Sequence, residues 1–339
     1  MGGVRQHYIP RFLLRGFASK VSNEKVFVWY LRKGEEPIEV STKDIALEKY
    51  FYGEPGQDSL DKTITEREND FAKVVDKARG ETELSDEDNK ILIQIVQDII
   101  IRTRHVRKGL TEGADKLYNM FLNNIADKEK VTTLFKNKNV KDQVRRAIEK
   151  KLNTNDPKII NPFIQSLEND PHLLAELGQL FSEILKKIDL TKEMESAHKK
   201  GITRVYDEGS TTRLEEYSKL IWTVKCFEQK VLILGDVGVI KLNTKTGEFS
   251  LPITSMREKE VILLPISHNK LLVGSFNEDI SLPSVDTINK AMAELSMDFI
   301  ISAWDGEKVQ EYSQLIGDRA DYLDDQTLHE LESEHFKKK

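Results

Sequence analysis

The sequence predicts an α+β protein: a small mixed or antiparallel sheet formed by the N- and C-terminal segments, with a large α-helical insertion between them. Two observations carry this expectation. Residues that favour strands cluster toward both ends, as in Lys25-Val26-Phe27-Val28-Trp29-Tyr30 and Val261-Ile262-Leu263-Leu264. Between them, from Leu60 to about Lys200, apolar residues recur with the 3.6-residue period of helices. The organisation implied is a β/loop segment over 1–57, a helical bundle over 58–200, and an α/β segment over 201–339 that packs back on the first.

In chain order, Lys25 to Tyr30 reads as a strand followed by a turn at Gly34-Glu35-Glu36-Pro37. Ser41-Thr42-Lys43-Asp44 offers capping side chains for a short helix through Tyr50, which Gly53-Glu54-Pro55-Gly56 would end. A long helix is expected from near Ser59, since Leu60, Ile64, Phe71, Val74, Val75 and Ala78 recur on one face and Gly80 can stop it. Ser85 ahead of Asp86, Glu87 and Asp88 opens the next one, because a hydroxyl caps orphan amides and carboxylates suit the positive end of the helix dipole. Its stretch Ile91 to Ile101 is too apolar for a surface helix and is expected at the centre of the bundle.

Helices near 111–126, 128–151, 160–169 and 171–187 follow, with Asn-Asp-Pro turns at 155–157 and 169–171. After Gly201 short β-rich runs are expected as strands at 220–227, 231–234, 237–240 and 261–264, with Asn243 to Glu248 as a hairpin turn. A helix over Ser284 to Met297, a strand at 299–302 and a helical acidic tail complete the reading, without internal repeat or low-complexity linker.

A length of 339 residues favours two domains or one core with a large insertion, and 39% hydrophobic with 32% charged residues describes a globular chain. The longest apolar runs fall well short of the ~20 residues a membrane helix needs, so no membrane partner is expected. The N-terminus lacks an apolar signal region and Cys226 is the only cysteine, which together favour a cytoplasmic location. A net charge of −6 argues against a surface built wholly for nucleic acid. Local basic patches remain: residues 1–20 carry Arg5, Arg11, Arg15 and Lys20 with no carboxylate, and a second cluster runs from Arg102 to Lys108.

The run Gln6-His7-Tyr8-Ile9-Pro10-Arg11-Phe12-Leu13-Leu14-Arg15-Gly16-Phe17 resembles the opening motif of a bacterial family known as domain of unknown function 4238. Further segments resemble the same family in order: Glu48-Lys49-Tyr50-Phe51-Tyr52, the pair Asp61 and Glu68, Ile101-Arg102-Thr103, Leu234-Gly235-Asp236-Val237-Gly238-Val239, and Leu264-Pro265-Ile266-Ser267-His268-Asn269-Lys270-Leu271. The chain departs from the family pattern around Asp236, where Ser, Asn and Pro neighbours are absent, at Arg104, where a proline is usual, and at Ile99, where a glutamine is common. The resemblance implies no activity.

Candidate chemistry centres on His7, which titrates near neutrality, with Gln6 and Tyr8 as hydrogen-bonding neighbours. In the functional reading His7 is a general base or metal ligand, and Arg11 and Arg15, four apart, clamp a phosphate. In the structural reading Tyr8, Ile9, Phe12, Leu13 and Phe17 form a hydrophobic plug whose polar neighbours satisfy buried partners. Arg102, Arg104 and His105 either interact with the C-terminal dipole of the preceding helix or grip an anion.

Asp61 and Glu68, seven apart on one helix, either hold a divalent metal or neutralise arginines such as Arg11, Arg15 or Arg102. Asp236 either faces His7 or caps its own turn, and His268 reads as a turn residue. No phosphate-binding loop, dinucleotide fingerprint, nucleophile elbow or zinc-type histidine spacing is present.

The functional expectation is phosphodiester recognition and cleavage of nucleic acid or nucleotide, as in a nuclease-like effector of phage defence. His7, Asp236 and Glu68 would be catalytic, Arg11, Arg15, Arg102 and Arg104 phosphate-binding, and Gln6, Tyr8 and Asp61 supporting. Mg or Mn is the cofactor such chemistry would use; the cofactor itself is not specified by any motif. The alternative is a non-enzymatic binding or sensor module acting through a protein partner on its helical region. The two separate on geometry: the first needs an open basic cleft, the second needs these groups buried and paired, with an apolar helix face exposed elsewhere.

Overall fold

The structure is a computed structural model that describes residues 5–49, 51, 59–80, 83–186, 190–208, 212–252 and 255–320. In chain order it runs β1 (Arg5–His7), α1 (Arg11–Leu14), β2 (Lys20–Ser22), β3 (Lys25–Leu31), β4 (Ile38–Ser41), β5 (Leu47–Lys49), α2 (Ser59–Arg79) and α3 (Asp86–Arg102). Helices α4 (Arg104–Ala126), α5 (Lys128–Lys136), α6 (Lys138–Leu152), α7 (Pro157–Asn169), α8 (Pro171–Leu185), α9 (Leu190–Glu208) and α10 (Thr212–Tyr217) follow. The C-terminal part supplies β6 (Ile221–Cys226), β7 (Leu234–Gly235), β8 (Ile240–Asn243), β9 (Glu248–Ser250), β10 (Glu260–Ser267), β11 (Lys270–Ser275), α11 (Val285–Leu295), β12 (Ile300–Ser302) and α12 (Glu307–Ser313).

This is the expected α+β arrangement. All strand pairs are antiparallel, and the N- and C-terminal segments share a sheet because β12 pairs with β3 at Ile300↔Leu31 and Ser302↔Trp29. That sheet has the order β2-β3-β12-β7 with β4 also on β3; a second runs β6-β11-β10-β8-β9, and β1 pairs with β5 alone. Every residue of β10 is buried, as an apolar strand at the centre of a covered sheet must be. Its one carboxylate, Glu260, meets Lys241 at 3.1 Å.

The chain forms two compact units, with boundaries inside α4 and α9. One contains both larger sheets together with α1–α3 and α10–α12, and one continuous apolar core runs through it. The other spans Gly109–Glu195 and is helical throughout its described residues. The helical stretch 58–200 is thus divided, with α2 and α3 in the sheet-bearing unit.

Several local expectations need correction. The segment after Ser41 does not become a helix: Ala46 takes φ 52°, outside the helical region, and Leu47–Lys49 is drawn into β5 by pairing with β1. Tyr50, Gly53 to Gly56 and the acidic tail beyond Ala320 lie outside the described residues. The expected helix 128–151 is two, because Asn137 leaves the helical region and its side chain accepts the Asn139 amide as the cap of α6. Arg104 and His105 do not trail α3: Thr103 is extended, and Arg104 begins α4. The run 231–233 is not a strand, and β7 is only Leu234–Gly235. By contrast, Ser85 caps α3 as anticipated, with Asp88 completing a capping box, and Asn243 to Glu248 turns between β8 and β9.

Candidate functional site

The opening motif is a plug. Tyr8, Ile9, Phe12, Leu13, Leu14 and Phe17 are all buried, and Pro10 sets the chain entering the short helix α1. Gly16 is required by a close approach, since a Cβ there would meet the Ile266 carbonyl oxygen at 2.3 Å. The Gly16 carbonyl accepts from the His268 amide at 2.9 Å, which ties the motif to the β10–β11 hairpin and leaves His268 as a turn residue. Arg79 completes the anchor: its guanidinium donates to the carbonyls of Phe12, Leu13 and Ile266 at 2.6–3.2 Å.

Beside the plug, Arg102 is 1% exposed and joins three segments. It donates to Asp98 Oδ2 at 2.6 Å, to Glu68 Oε1 at 2.7 Å and to the His7 carbonyl at 2.7 Å. Tyr206 donates to the other oxygen of Asp98. Burial pushes the Asp98 carboxyl up to about 6, against the attraction of Arg102. Of the alternatives for Glu68, the one realised is neutralisation of an arginine. Asp61 lies on α2, but its side chain is outside the described residues.

His7 hydrogen-bonds the Thr42 carbonyl through Nε2 at 3.3 Å, and burial, reinforced by Arg11, Arg102 and Arg5, lowers its pKa to about 4. A histidine so shifted is neutral at pH 7 and a weak base. Gln6 is buried in β1 opposite Glu48.

Asp236 sits elsewhere in the same unit. Pairing of β7 with β12 places it, fully buried, under the loop that follows α11. Its carboxylate accepts the amides of Met297 at 2.8 Å and Asp298 at 2.9 Å, so it caps a neighbouring loop instead of its own turn. Burial, aided by nearby Asp298, raises its pKa to about 7 in spite of those amides. The motif residue that bears on it electrostatically is Tyr8, whose phenol is shifted upward by burial and by Asp236.

Arg104 hydrogen-bonds Tyr8, pairs with Asp298 and approaches Glu48 at 3.7 Å, while Arg107 binds Glu48 at 2.5 Å. His105 is buried with Nε2 against the Leu295 carbonyl at 2.6 Å, and desolvation takes it down to about 4. The expected site residues thus separate into two networks, one around Arg102 and one around Asp236 and Arg104, both internally compensated.

Arg11 and Arg15 differ. Arg11 is partly buried, and its buried Nε has no hydrogen-bond partner among the described residues. Burial, then the charge of exposed Arg15, depresses its guanidinium. No group of three or more His, Cys, Asp or Glu among the described residues is arranged to hold a metal. None of the described helices is long and apolar enough to cross a membrane.

The helical unit has a different chemistry. Its buried cluster is small, with Val131, Phe135 and Leu174 at the centre and Val144 and Leu167 packed on it. Beside it opens an apolar groove of about 390 Å³ lined by residues from α4, α5, α6, α7 and α8, including Phe121, Leu134, Val140, Leu177 and Phe181. Eleven large hydrophobic residues are exposed among those described, and eight belong to this unit: Leu117, Phe121, Leu152, Ile159, Phe163, Leu180, Phe181 and Ile184.

The cause is visible in α7 and α8. Ile160 and Ile164 face inward while Ile159 and Phe163 face water; Leu174 and Ala175 are buried while Leu180, Phe181 and Ile184 are not. At 100° per residue the large apolar side chains of each helix share one face about 140° wide, and packing covers only part of it.

Sequence reasoning missed Asp98, Tyr206, Asp298 and the groove. Asp98 did leave a signal: it interrupts the apolar run of α3 four residues before Arg102, the spacing of a same-face ion pair. A family model described as "Protein of unknown function (DUF4238)" matches residues 5–305. No curated protein and no solved structure matches the chain.

Proposed function

Since the chain belongs to that family of unknown function, we propose from its geometry that it is a binding module whose helical unit docks an apolar, helical segment of a protein partner. One observation carries this reading: the concentration of exposed large apolar side chains on Gly109–Glu195, two of which, Phe121 and Phe181, line an apolar groove. Contiguous apolar surface beyond a few hundred Å² marks interaction sites on soluble domains, because leaving it in water costs ~25 cal/mol per Å². A helix laid in a groove with anchors at i, i+3, i+4 and i+7 is the matching mode of recognition.

Burial of Arg102 and Asp236, the pairing of half-exposed Arg104 with Asp298 and the hydrogen bond of half-buried His7 to Thr42 support this reading over chemistry at those residues. The test is a photo-crosslinking residue placed at Leu180 in the full chain in its host cell. A discrete protein adduct that Phe121→Asp abolishes is expected; labelling no stronger than from exposed Lys245 would sink the proposal.

Phosphodiester recognition keeps one observation in its favour, the Nε of Arg11, which has no hydrogen-bond partner among the described residues, beside exposed Arg15. Incubation with DNA, RNA and nucleotides, with and without Mg²⁺ or Mn²⁺, tests it. Turnover should fall in Arg15→Ala and His7→Ala, and equal background turnover in both variants and wild type would remove the idea.

A further inference from the structure

We propose that the cleft between α2, α3, α9 and α10 in the sheet-bearing unit binds a purine base. The cleft, of about 230 Å³, is lined on α3 by Ile91, Gln94, Gln97 and Asp98, which the 3.6-residue period sets on one side of that helix. Arg67 and Phe71 of α2, Val205 of α9 and Leu214 of α10 face them. All of these residues belong to the sheet-bearing unit, so binding here is independent of the groove on the helical unit.

The charges in the wall select a neutral ligand. Asp98, 5% exposed, accepts from Arg102 at 2.6 Å through one oxygen and from Tyr206 through the other, and Asp70 at the rim pairs with Lys73 at 2.8 Å. Neither carboxylate is left for the ammonium of a zwitterion, and both repel an anion from Arg67. Arg67 is itself held in place, donating to the Tyr206 carbonyl at 2.7 Å with its guanidinium 4.6 Å from the Tyr206 ring centre. What remains is a mixture of donors and acceptors in which the amides of Gln97, 3% exposed, and of exposed Gln94 each supply both. Phe71, Ile91, Val205 and Leu214 add apolar walls.

A flat heterocycle with a polar edge and two apolar faces matches that surface, and a glutamine amide pairs with the N6 and N7 edge of adenine through two hydrogen bonds. Size selects within the class. An apolar cavity of ~150 Å³ holds the six carbons of benzene, so about 230 Å³ takes about nine ring atoms, as many as a purine has.

The test is isothermal titration calorimetry of the full chain with adenine, adenosine, uridine, leucine and a short oligoadenylate, with circular dichroism to verify folding of each variant. Adenine and adenosine should bind at a single site, at least about tenfold more tightly than uridine. Gln97→Met, which keeps bulk and removes the amide, should weaken that binding about tenfold. Leu214→Trp, which fills the cleft, should abolish it. Gln94→Leu changes only the exposed rim, should weaken binding several-fold, and decides the matter if Gln97→Met does not fold. Tighter binding of the oligoadenylate than of adenosine, with the same response to the variants, would assign the cleft to a base within a strand; the reverse would assign it to the free base or nucleoside.

Uridine bound as tightly as adenosine would overturn the purine assignment. Binding of leucine without any base would give the cleft to a zwitterion and would also overturn it. So would binding of adenosine that none of the folded variants alters, because the ligand would then lie elsewhere, and so would the lack of binding by any of the compounds at millimolar concentration.

Discussion

In the sheet-bearing unit an arginine is 1% exposed among three acceptors; in the helical unit Phe181 stands 57% exposed to water. Each inverts the usual preference of its residue type. The first inversion is compensated: Arg102 finds Asp98, Glu68 and the His7 carbonyl, and Asp98 finds Tyr206. The second has no compensation within the described residues of its own unit. A buried charge with all its partners is a device that holds segments in register, whereas a large apolar side chain left in water points to something that covers it.

The comparison can be broken by experiment, and the largest effect is expected at Arg102. Replacing it with methionine keeps bulk but leaves Asp98 and Glu68 without their cation, at a cost of ~3–5 kcal/mol. Chemical denaturation should show this as a lower midpoint at unchanged slope. A loss below ~0.5 kcal/mol would mean that the network is not what joins β1, α2 and α3.

Gly16→Ala comes next. Its Cβ would press on the Ile266 carbonyl oxygen at 2.3 Å, and relief by backbone shift should cost ~1–3 kcal/mol by the same assay.

A smaller effect is carried by pH. Asp236 holds its proton up to about pH 7 when folded and releases it near 3.8 when unfolded, so its contribution to stability declines from pH 4 to 7 and is level above. His7 and His105, both lowered to about 4, act in the opposite sense, adding stability as pH rises from about 4 to 6.5. Asp236→Asn removes only the first contribution. The variant should therefore gain on wild type, by on the order of 1 kcal/mol per pH unit, across pH 4 to 7. Parallel stability curves for the two proteins would show that the carboxyl titrates normally.

Phe181→Asp should have the smallest effect on stability, within ~0.5 kcal/mol, while abolishing cross-linking at the groove. A large loss of stability would instead place Phe181 in a core and erase the contrast between the two units.

Much of this was legible in the sequence. The plug residues of the opening motif, the capping box at Ser85 and the apolar α3 follow from spacing and local chemistry alone, and the structure bears them out. Where local and tertiary forces compete, the reading slipped. Residues 41–49 contain good capping side chains, yet β1 needs a strand partner and takes Leu47–Lys49. The two-residue β7 has no local signature and exists because β12 pairs with it. The candidate site was legible as a set of residue types, while their grouping was not: His7 is half-buried against the Thr42 carbonyl and Asp236 is fully buried under the Met297 and Asp298 amides, in separate networks.

By itself the sequence determined where helices and strands could form, which face of most of them is apolar, and that an aromatic plug begins near Tyr8, because these depend on periodicity and on neighbours within a few residues. Only the tertiary structure decided which charges are neutralised and which apolar faces stay open. Arg102 meets groups from β1, α2 and α3, and α8 has one broad apolar face, of which packing covers only part. Compensation and cover are properties of distant segments brought together, and a one-dimensional pattern does not encode which partner arrives.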